Sequence, residues 1–497
     1  MKYKQKQVDK IILIVIFFAW IIFNGILLIR HELWRDEANV WLMARNLKPL
    51  QLFAEIKYQG HPCLWYLLVM PFAKAGLPFQ TICVLSLLVM SVGAGILLWK
   101  APINIVTKAI CLFSPIGTYY YSVIARNYCL IALLFILLAW CYPKRNDKPI
   151  LYGILLGLLV QADTIALAGA GLISLMWLWE GLINRIKKHS IKQLYKVLSG
   201  IWIPLVSFFL LVAQFLQVSD SPHFQFRDLG ASEFLNEVKN YAYTILNRLT
   251  GQEKLVCTIA FLTFLVLGLI VSIRLKDFWP MIVMVGSYLF QAVFSVLVYQ
   301  LHIWHFISLC FVYLWMLWIW NWQCNDKKVS DKPTRVILLL AELWLMILAV
   351  GMFVRWANPN ESSGLDNALH GAYSDGVNAA AYVQQNIGRD EILISTDVPM
   401  TSTILAYLGD CECYYAGSGE KVSFADYSEA QEQRITLDSL ISWAAASFPD
   451  KQEIYLLMTG DSCLDHADYV QDYECLYQSE TETARGEEYR IYRIPIR

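Results

Sequence analysis

The sequence predicts a polytopic α-helical membrane protein carrying a C-terminal extracytoplasmic α/β domain. Three observations predict it. Hydrophobic residues make up 57% of the 497, above the roughly 45–50% usual for soluble chains. The excess is uneven: residues 1–355 alternate apolar blocks with short charged loops, whereas residues 356–497 read as an ordinary soluble sequence. The charged loops between blocks are basic, the pattern of cytoplasmic turns.

Residues 11–29 form an apolar run long enough to cross a bilayer. Lys2, Lys4, Lys6 and Lys10 precede it and place the N-terminus in the cytoplasm. No small-residue cleavage site follows, so the run reads as a retained anchor. An outer loop at about 30–61 comes next. Within it, Trp34, Ala38, Trp41 and Leu42 share one helical stripe, while Asp36, Asn39 and Asn46 fall elsewhere. That spacing predicts an amphipathic helix over 36–46 lying flat in the interface, and PLQLFAEIKY continues in the same manner.

Apolar blocks then run at about 62–78, 80–98, 101–116, 126–142, 150–165, 166–183, 198–217, 254–273, 278–298, 304–322 and 336–354. Basic loops at 143–149, 184–196, 273–277 and 326–335 should face the cytoplasm. From residue 143 onward this topology is self-consistent. Before 116, three blocks separate two outer points, so one of them does not cross fully. About 11–13 spans are expected.

After a last span at 336–354 the remaining chain is placed outside. There, 374–388 reads as a helix ending at Gly388, and 391–396 as a strand. TSTILAYLG reads as a helix ending at Gly409, LDSLISWAAASF as a helix and 453–459 as a buried strand. CLYQSE and YRIYRI close the set as strands of a small α/β layer domain. Most of the 12 cysteines fall in apolar spans, where they act as small hydrophobes. Cys411, Cys413, Cys463 and Cys475 lie in the C-terminal domain and leave a disulfide open, and no spacing resembles a zinc site. No basic patch points to nucleic acid.

The ionisable residues of the outer loops carry the candidate chemistry. Asp36 and Glu37 sit just beyond the first span, where Asp36 also suits a first-turn acid favoured by the helix dipole. In QGHPCLWYLL, Gly60 and Pro62 hold His61 at a tight entry to the second block; a plain helix-start residue fits as well. In SPIGTYYYSVIARNYCL, Ser114–Pro115 breaks a helix, Tyr119–Tyr121 read as an interfacial cluster, and Arg126 opens the next span. Arg126 suits a phosphate ligand or a snorkelling anchor. Asp163 interrupts two apolar blocks at an outer turn that could equally be solvated. His302 and His305 stand in HIWHF, and His223, Arg227 and Asp228 in HFQFRD. All of these fall on one side of the membrane.

An outer DE pair after the first span, a GHP turn opening the second block and SP…AR.Y at an outer helix start together resemble membrane glycosyltransferases of the GT-C fold. The pattern is most similar to glycosyltransferase family 39, the protein-mannosyltransferase-like group that includes bacterial aminoarabinose transferases. The resemblance covers roughly residues 10–355, and the C-terminal domain is loosely similar to those appended to bacterial members. It implies inverting transfer of a hexosyl or pentosyl group from a polyprenyl-phosphate carrier to a lipid, glycan or protein acceptor outside the cytoplasm. Asp36 matches the family's base, with Glu37 in support. Arg126, Lys57 and His61 are the cations for the carrier phosphate, with Tyr128, Asp163 and His305 beside them. The resemblance implies no cofactor and no active-site metal. Two positions depart from the pattern: Cys63 replaces the second Pro after HP, and Trp304–His305–Phe306 replaces an Arg-Tyr type pair. His305 would serve that phosphate role only when protonated. A transporter or flippase of lipid-linked sugars would instead need internal repeats and charges near the midplane. A non-catalytic cell-envelope binding protein would be indifferent to loss of Asp36.

Overall fold

The computed structural model describes residues 2–188, 191–215, 227, 229–326, 331–359, 361, 364–409, 413–428, 431, 433–460, 463–465 and 467–497. Eight helices among them are long and apolar enough to cross a membrane: Val8–Arg30, Thr81–Lys100, Thr164–Ile183, Ile191–Phe215, Lys254–Leu275, Trp279–Leu297, Ile303–Asp326 and Lys332–Trp356. Leu64–Lys74, Tyr128–Lys144 and Pro149–Val160 are shorter apolar helices in the same part of the chain. The 11–13 expected spans are therefore reached only at the low end, with all three short helices counted. Large apolar side chains such as Ile11, Val15, Phe18 and Ile22 are exposed on the first helix, as lipid-facing positions are. The chain is a multi-pass membrane protein.

Part of the shortfall lies between residues 62 and 116, and the rest in the 126–142 and 150–165 blocks, which give the shorter Tyr128–Lys144 and Pro149–Val160. The 62–78 block gives only the 11-residue helix Leu64–Lys74, which contains Pro71 and is followed by Gly76 at φ +72°. The 101–116 block gives only Ile105–Phe113, started by the Asn104 side chain accepting the Val106 N–H at 2.9 Å. Pro115 cannot continue that helix. At Gly117 a Cβ would stand 2.7 Å from the Leu112 Cα, so the chain doubles back where only glycine fits. Two of the three blocks are thus short, where one was expected.

The chain divides into two compact units. The first comprises Met1–Ile26, Ser86–Leu216 and Gln225–Trp356. At its core runs the helix Ser308–Asp326, buried along nearly its whole length, with Trp315 and Trp320 fully enclosed. Helices Pro149–Val160 and Ile191–Phe215 cross closely through glycine: a Cβ on Gly153 would stand 2.2 Å from the Gly200 carbonyl oxygen. Small residues permit such approach where helices lack a hydrophobic drive to pack. Charged side chains between the helices are hydrogen-bonded. Arg145 bonds Glu180 at 2.7 Å and lies 3.7 Å over the Tyr142 ring. Glu342 accepts the Asn104 N–H at 3.0 Å and the Thr107 hydroxyl at 3.3 Å.

The second unit comprises Leu27–Leu85 and Ala357–Arg497. The first loop therefore belongs with the C-terminal residues. Its α/β part follows the sequence closely: helices Gly376–Asn386, Val398–Leu408 and Leu437–Ser447 stand where the apolar periodicity put them. Gly409, at φ +72°, terminates the second. The strands are β1 (Leu393–Ser395), β2 (Cys413–Tyr415), β3 (Lys421–Val422), β4 (Ile435–Thr436), β5 (Glu453–Met458), β6 (Leu464–Asp465), β7 (Glu474–Gln478) and β8 (Arg490–Pro495). Six form one sheet in the order β3-β2-β1-β5-β8-β7, and β4 pairs with β6. β1 runs parallel to β2 and β5, while β8 is antiparallel to β5 and β7. Strands β2, β3, β4 and β6 were not legible, being two or three residues each. Cys463 is a buried thiol and Cys475 an exposed one; Cys411 lies outside the described residues.

Candidate functional site

The DE pair opens the helix Arg35–Asn46, and the structure gives its two acids opposite environments. Asp36 keeps 29% of its side chain exposed, with the Arg35 guanidinium 4.0 Å away. Glu37, one residue on and rotated by about 100°, is fully buried. It meets His31 Nε2 at 3.0 and 3.2 Å and accepts the Trp34 N–H at 3.2 Å. Glu37 thus fixes the helix start while Asp36 faces out from it.

That helix is not the one-sided interfacial helix expected from its periodicity. Residues 37–44 are all buried, because Leu64–Lys74 packs on one face and Val398–Leu408 on another. The polar face is satisfied by partners distant in sequence. Asn39 Nδ2 donates to Gln59 Oε1 and to the Ala425 carbonyl, each at 2.9 Å, and its Oδ1 accepts the Ala425 N–H at 2.8 Å. Gln59 lies between Lys57 and His61, so this bond ties their loop to the helix one turn after Asp36. Lys57 Nζ lies 4.6 Å over the Tyr58 ring. Gly60 takes φ +70°, a conformation glycine enters without strain, and turns the chain so that His61 is half-buried.

C-terminal side chains brace the other flank. The Arg35 N–H donates to Glu487 at 2.9 Å, and its guanidinium lies 3.6 Å from the same carboxylate. Glu487 is fully buried and also accepts from the hydroxyls of Ser374 at 2.7 Å and Thr403 at 3.1 Å. Burial pushes its carboxyl up to about 7, against the pull of Arg35. Burial likewise raises Glu32, partly offset by the N–H groups of Tyr373 and Ser374 that it accepts at 2.7 and 3.3 Å. None of these partners was visible in the sequence. Glu487 lies 452 residues from Arg35, and nothing in its local pattern marks it as buried.

The other four sequence-predicted residues gather in the first unit. Asn127 donates to Asp163 Oδ2 and to the Ala162 carbonyl, each at 2.7 Å. Asp163 is fully buried and caps the turn at 164–166 by accepting the Ile165 N–H at 3.0 Å, so it is no solvated loop acid. Arg126, 8% exposed, does not reach outward as a snorkelling side chain would. The Tyr128 hydroxyl meets His305 Nε2 at 3.3 Å, while His305 Nδ1 accepts the His302 N–H at 2.9 Å. A neutral His305 ring accordingly carries its proton on Nε2, and a doubly protonated ring would lose the His302 bond. Tyr119, Tyr120 and Tyr121 are buried rather than interfacial. Tyr121 packs on Tyr128 and Phe311, and its hydroxyl donates to the Trp304 carbonyl at 3.1 Å. Arg126, Tyr128, Asp163 and His305 thus attach to one irregular segment, 114–128. Of HFQFRD, His223 and Asp228 lie outside the described residues.

No family model and no curated protein sequence matches the chain. Among solved structures, the chain is similar to ArnT from Cupriavidus metallidurans bound to undecaprenyl phosphate. The likeness has a TM-score of 0.51 at 12% identity and covers 99% of this chain and 98% of that one. ArnT from the same organism in the apo state gives 0.42 at 13% identity, again over 99% and 98%. The fold is GT-C-like. The expectation drawn from DE, GHP and AR.Y is met at the level of fold, over nearly the whole chain rather than residues 10–355 alone.

Proposed function

We propose that the chain is an inverting glycosyltransferase that moves a sugar from a polyprenyl-phosphate carrier to a lipid, glycan or protein acceptor on the extracytoplasmic side. The single observation carrying this reading is the split DE pair. One acid is locked in the protein while its neighbour stays half-exposed on a rigid helix start, in a fold shared with a protein crystallised with undecaprenyl phosphate.

In this reading Asp36 takes the proton of the acceptor hydroxyl as that oxygen attacks the anomeric carbon. The bond from that carbon to the carrier phosphate breaks on the opposite face, and its electron pair leaves with the phosphate. The leaving group is already an acceptable anion, so it needs positive charge and donors rather than a strong acid. Arg126 binds the phosphate, its planar fork matching two oxygens, with Lys57 and His61 the alternative cations for that role. Tyr128, Asp163 and His305 hold the 114–128 segment in shape. The N-terminus is cytoplasmic and residues 356–497 are extracytoplasmic.

The test is turnover of the purified chain with undecaprenyl-phosphate-linked sugars, wild type against Asp36→Asn. The variant should fold and bind carrier normally yet lose about 10²-fold or more in rate. Near-normal turnover of Asp36→Asn would overturn the assignment, and unchanged envelope phenotypes with no turnover in the wild type would favour a binding protein.

A further inference from the structure

The acid that does not face outward has a second feature. His31, Glu37 and Cys83 place a ring nitrogen, a carboxylate oxygen and a thiol sulfur within 4.8 Å of one another, and all three residues are buried. They reach this point from three separate places: the end of the first helix, the first turn of Arg35–Asn46 and the first turn of Thr81–Lys100. We propose that this trio is a structural site for a divalent, borderline-soft transition metal, zinc above all.

The donor chemistry selects the ion. Nitrogen, sulfur and a single carboxylate suit zinc, whereas calcium and magnesium demand shells of oxygen. Tetrahedral zinc needs donor atoms roughly 3.3–3.8 Å apart. His31 Nε2 and Glu37 Oε2 stand at 3.0 Å, just short of that range, and the trio as a whole spans up to 4.8 Å, so small side-chain rotations open the first pair and draw the third donor in around an ion. Charge also fits. One thiolate and one carboxylate neutralise a divalent cation, leaving a buried site with no net charge. Binding requires Cys83 to lose its proton to solvent as the metal–sulfur bond forms. The surroundings hold the donors: Glu37 accepts the Trp34 N–H, and the His31 ring packs on Tyr373 with centroids 5.1 Å apart. A water completes the tetrahedral coordination. A filled site would clamp the start of the helix that presents Asp36. It is read from the second unit alone and stands whether or not the chain transfers sugar.

The trio escaped sequence reading because its spacings, six residues and then 46, match no metal motif. The experiment uses the full-length chain in detergent, from cells grown with added zinc. Elemental analysis should find about one zinc per wild-type chain, falling below roughly a tenth in Cys83→Ala and His31→Gln. Cobalt exchanged into the wild type should give the near-ultraviolet thiolate-to-cobalt band, absent in Cys83→Ala and retained in Cys463→Ala. If Cys83→Ala does not fold, the wild type decides alone: a chelator should lower its melting temperature and zinc restore it. A wild type with no stoichiometric metal and no chelator response, or a Cys83→Ala variant with full zinc, overturns the site.

Discussion

Asp36 and Glu37 are neighbours with unlike fates, and the difference is a rotation of about 100° between successive helical positions. The motif and its place after the first span single out the pair from sequence. Which acid is buried depends on His31 and on helices elsewhere in the chain, so no local pattern reveals it. Their variants should separate accordingly. Glu37→Gln removes the charge and one of the two acceptor oxygens that meet a buried His31 and the Trp34 N–H, and should lower stability by about 1–3 kcal/mol, seen as a reduced melting temperature in detergent. Asp36→Asn, at a half-exposed position, should leave melting unchanged while turnover collapses. The reverse pattern would exchange their roles. Arg126 poses a matching question in the first unit. Lysine keeps its charge but loses the two-pronged geometry. Arg126→Lys should therefore raise the apparent KM for the lipid donor, and Arg126→Ala should nearly abolish transfer. If both variants handle donor like the wild type, the phosphate site lies elsewhere, with Lys57 and His61 next to examine.

Elements with a sustained apolar pattern are legible from periodicity alone. Val398–Leu408 stops at the Gly409 that marks it, and β5 and β8 fall within a residue or two of their apolar runs. Elements whose length is set by neighbours are not. The 62–78 and 101–116 blocks are apolar enough to span, yet Gly76 at φ +72°, Pro115 and the tight approach at Gly117 cut them short. Likewise Arg35–Asn46 has the composition of a surface helix and becomes buried because partners from residues 398–408 and 425 cover it. The closest helix crossing offers a direct test. At Gly153 an added Cβ meets backbone at 2.2 Å, whereas at Gly171 nothing lies within 4 Å. Gly153→Ala should destabilise by about 1–3 kcal/mol, the usual cost of overpacking. Gly171→Ala should be neutral or slightly stabilising, since alanine narrows the unfolded ensemble. Equal melting temperatures for the two variants would show that the crossing is looser than the Gly153–Gly200 approach implies.

Across the whole chain, orientation rests on charge placement that the sequence carries openly, so it can be tested without a structure. A cysteine introduced at exposed Glu420 should react with a membrane-impermeant reagent on intact cells; protection, with a working control, would invert the last helices. What the sequence conceals is that the first loop and the C-terminal residues form a single unit, joined by partners some 340–450 positions apart. Glu487 makes that union sensitive to pH. Its folded carboxyl stands at about 7 against an ordinary 4.5, so the folded state binds the proton more tightly than the unfolded one. The stability this contributes is fully present below about pH 4.5 and is lost as pH rises through 7. A shift of that size corresponds to about 3 kcal/mol, opposed by the Arg35 guanidinium but not cancelled by it. Melting of the wild type between pH 5 and 8 should therefore fall more steeply than melting of Glu487→Gln, which keeps a hydrogen-bonding amide for Ser374, Thr403 and Arg35 but carries no titrating proton. Other carboxylates titrate alike in both proteins, so the difference between the two curves isolates this residue. Superimposable curves would mean that Glu487 stays ionised throughout, held down by Arg35 more strongly than burial raises it.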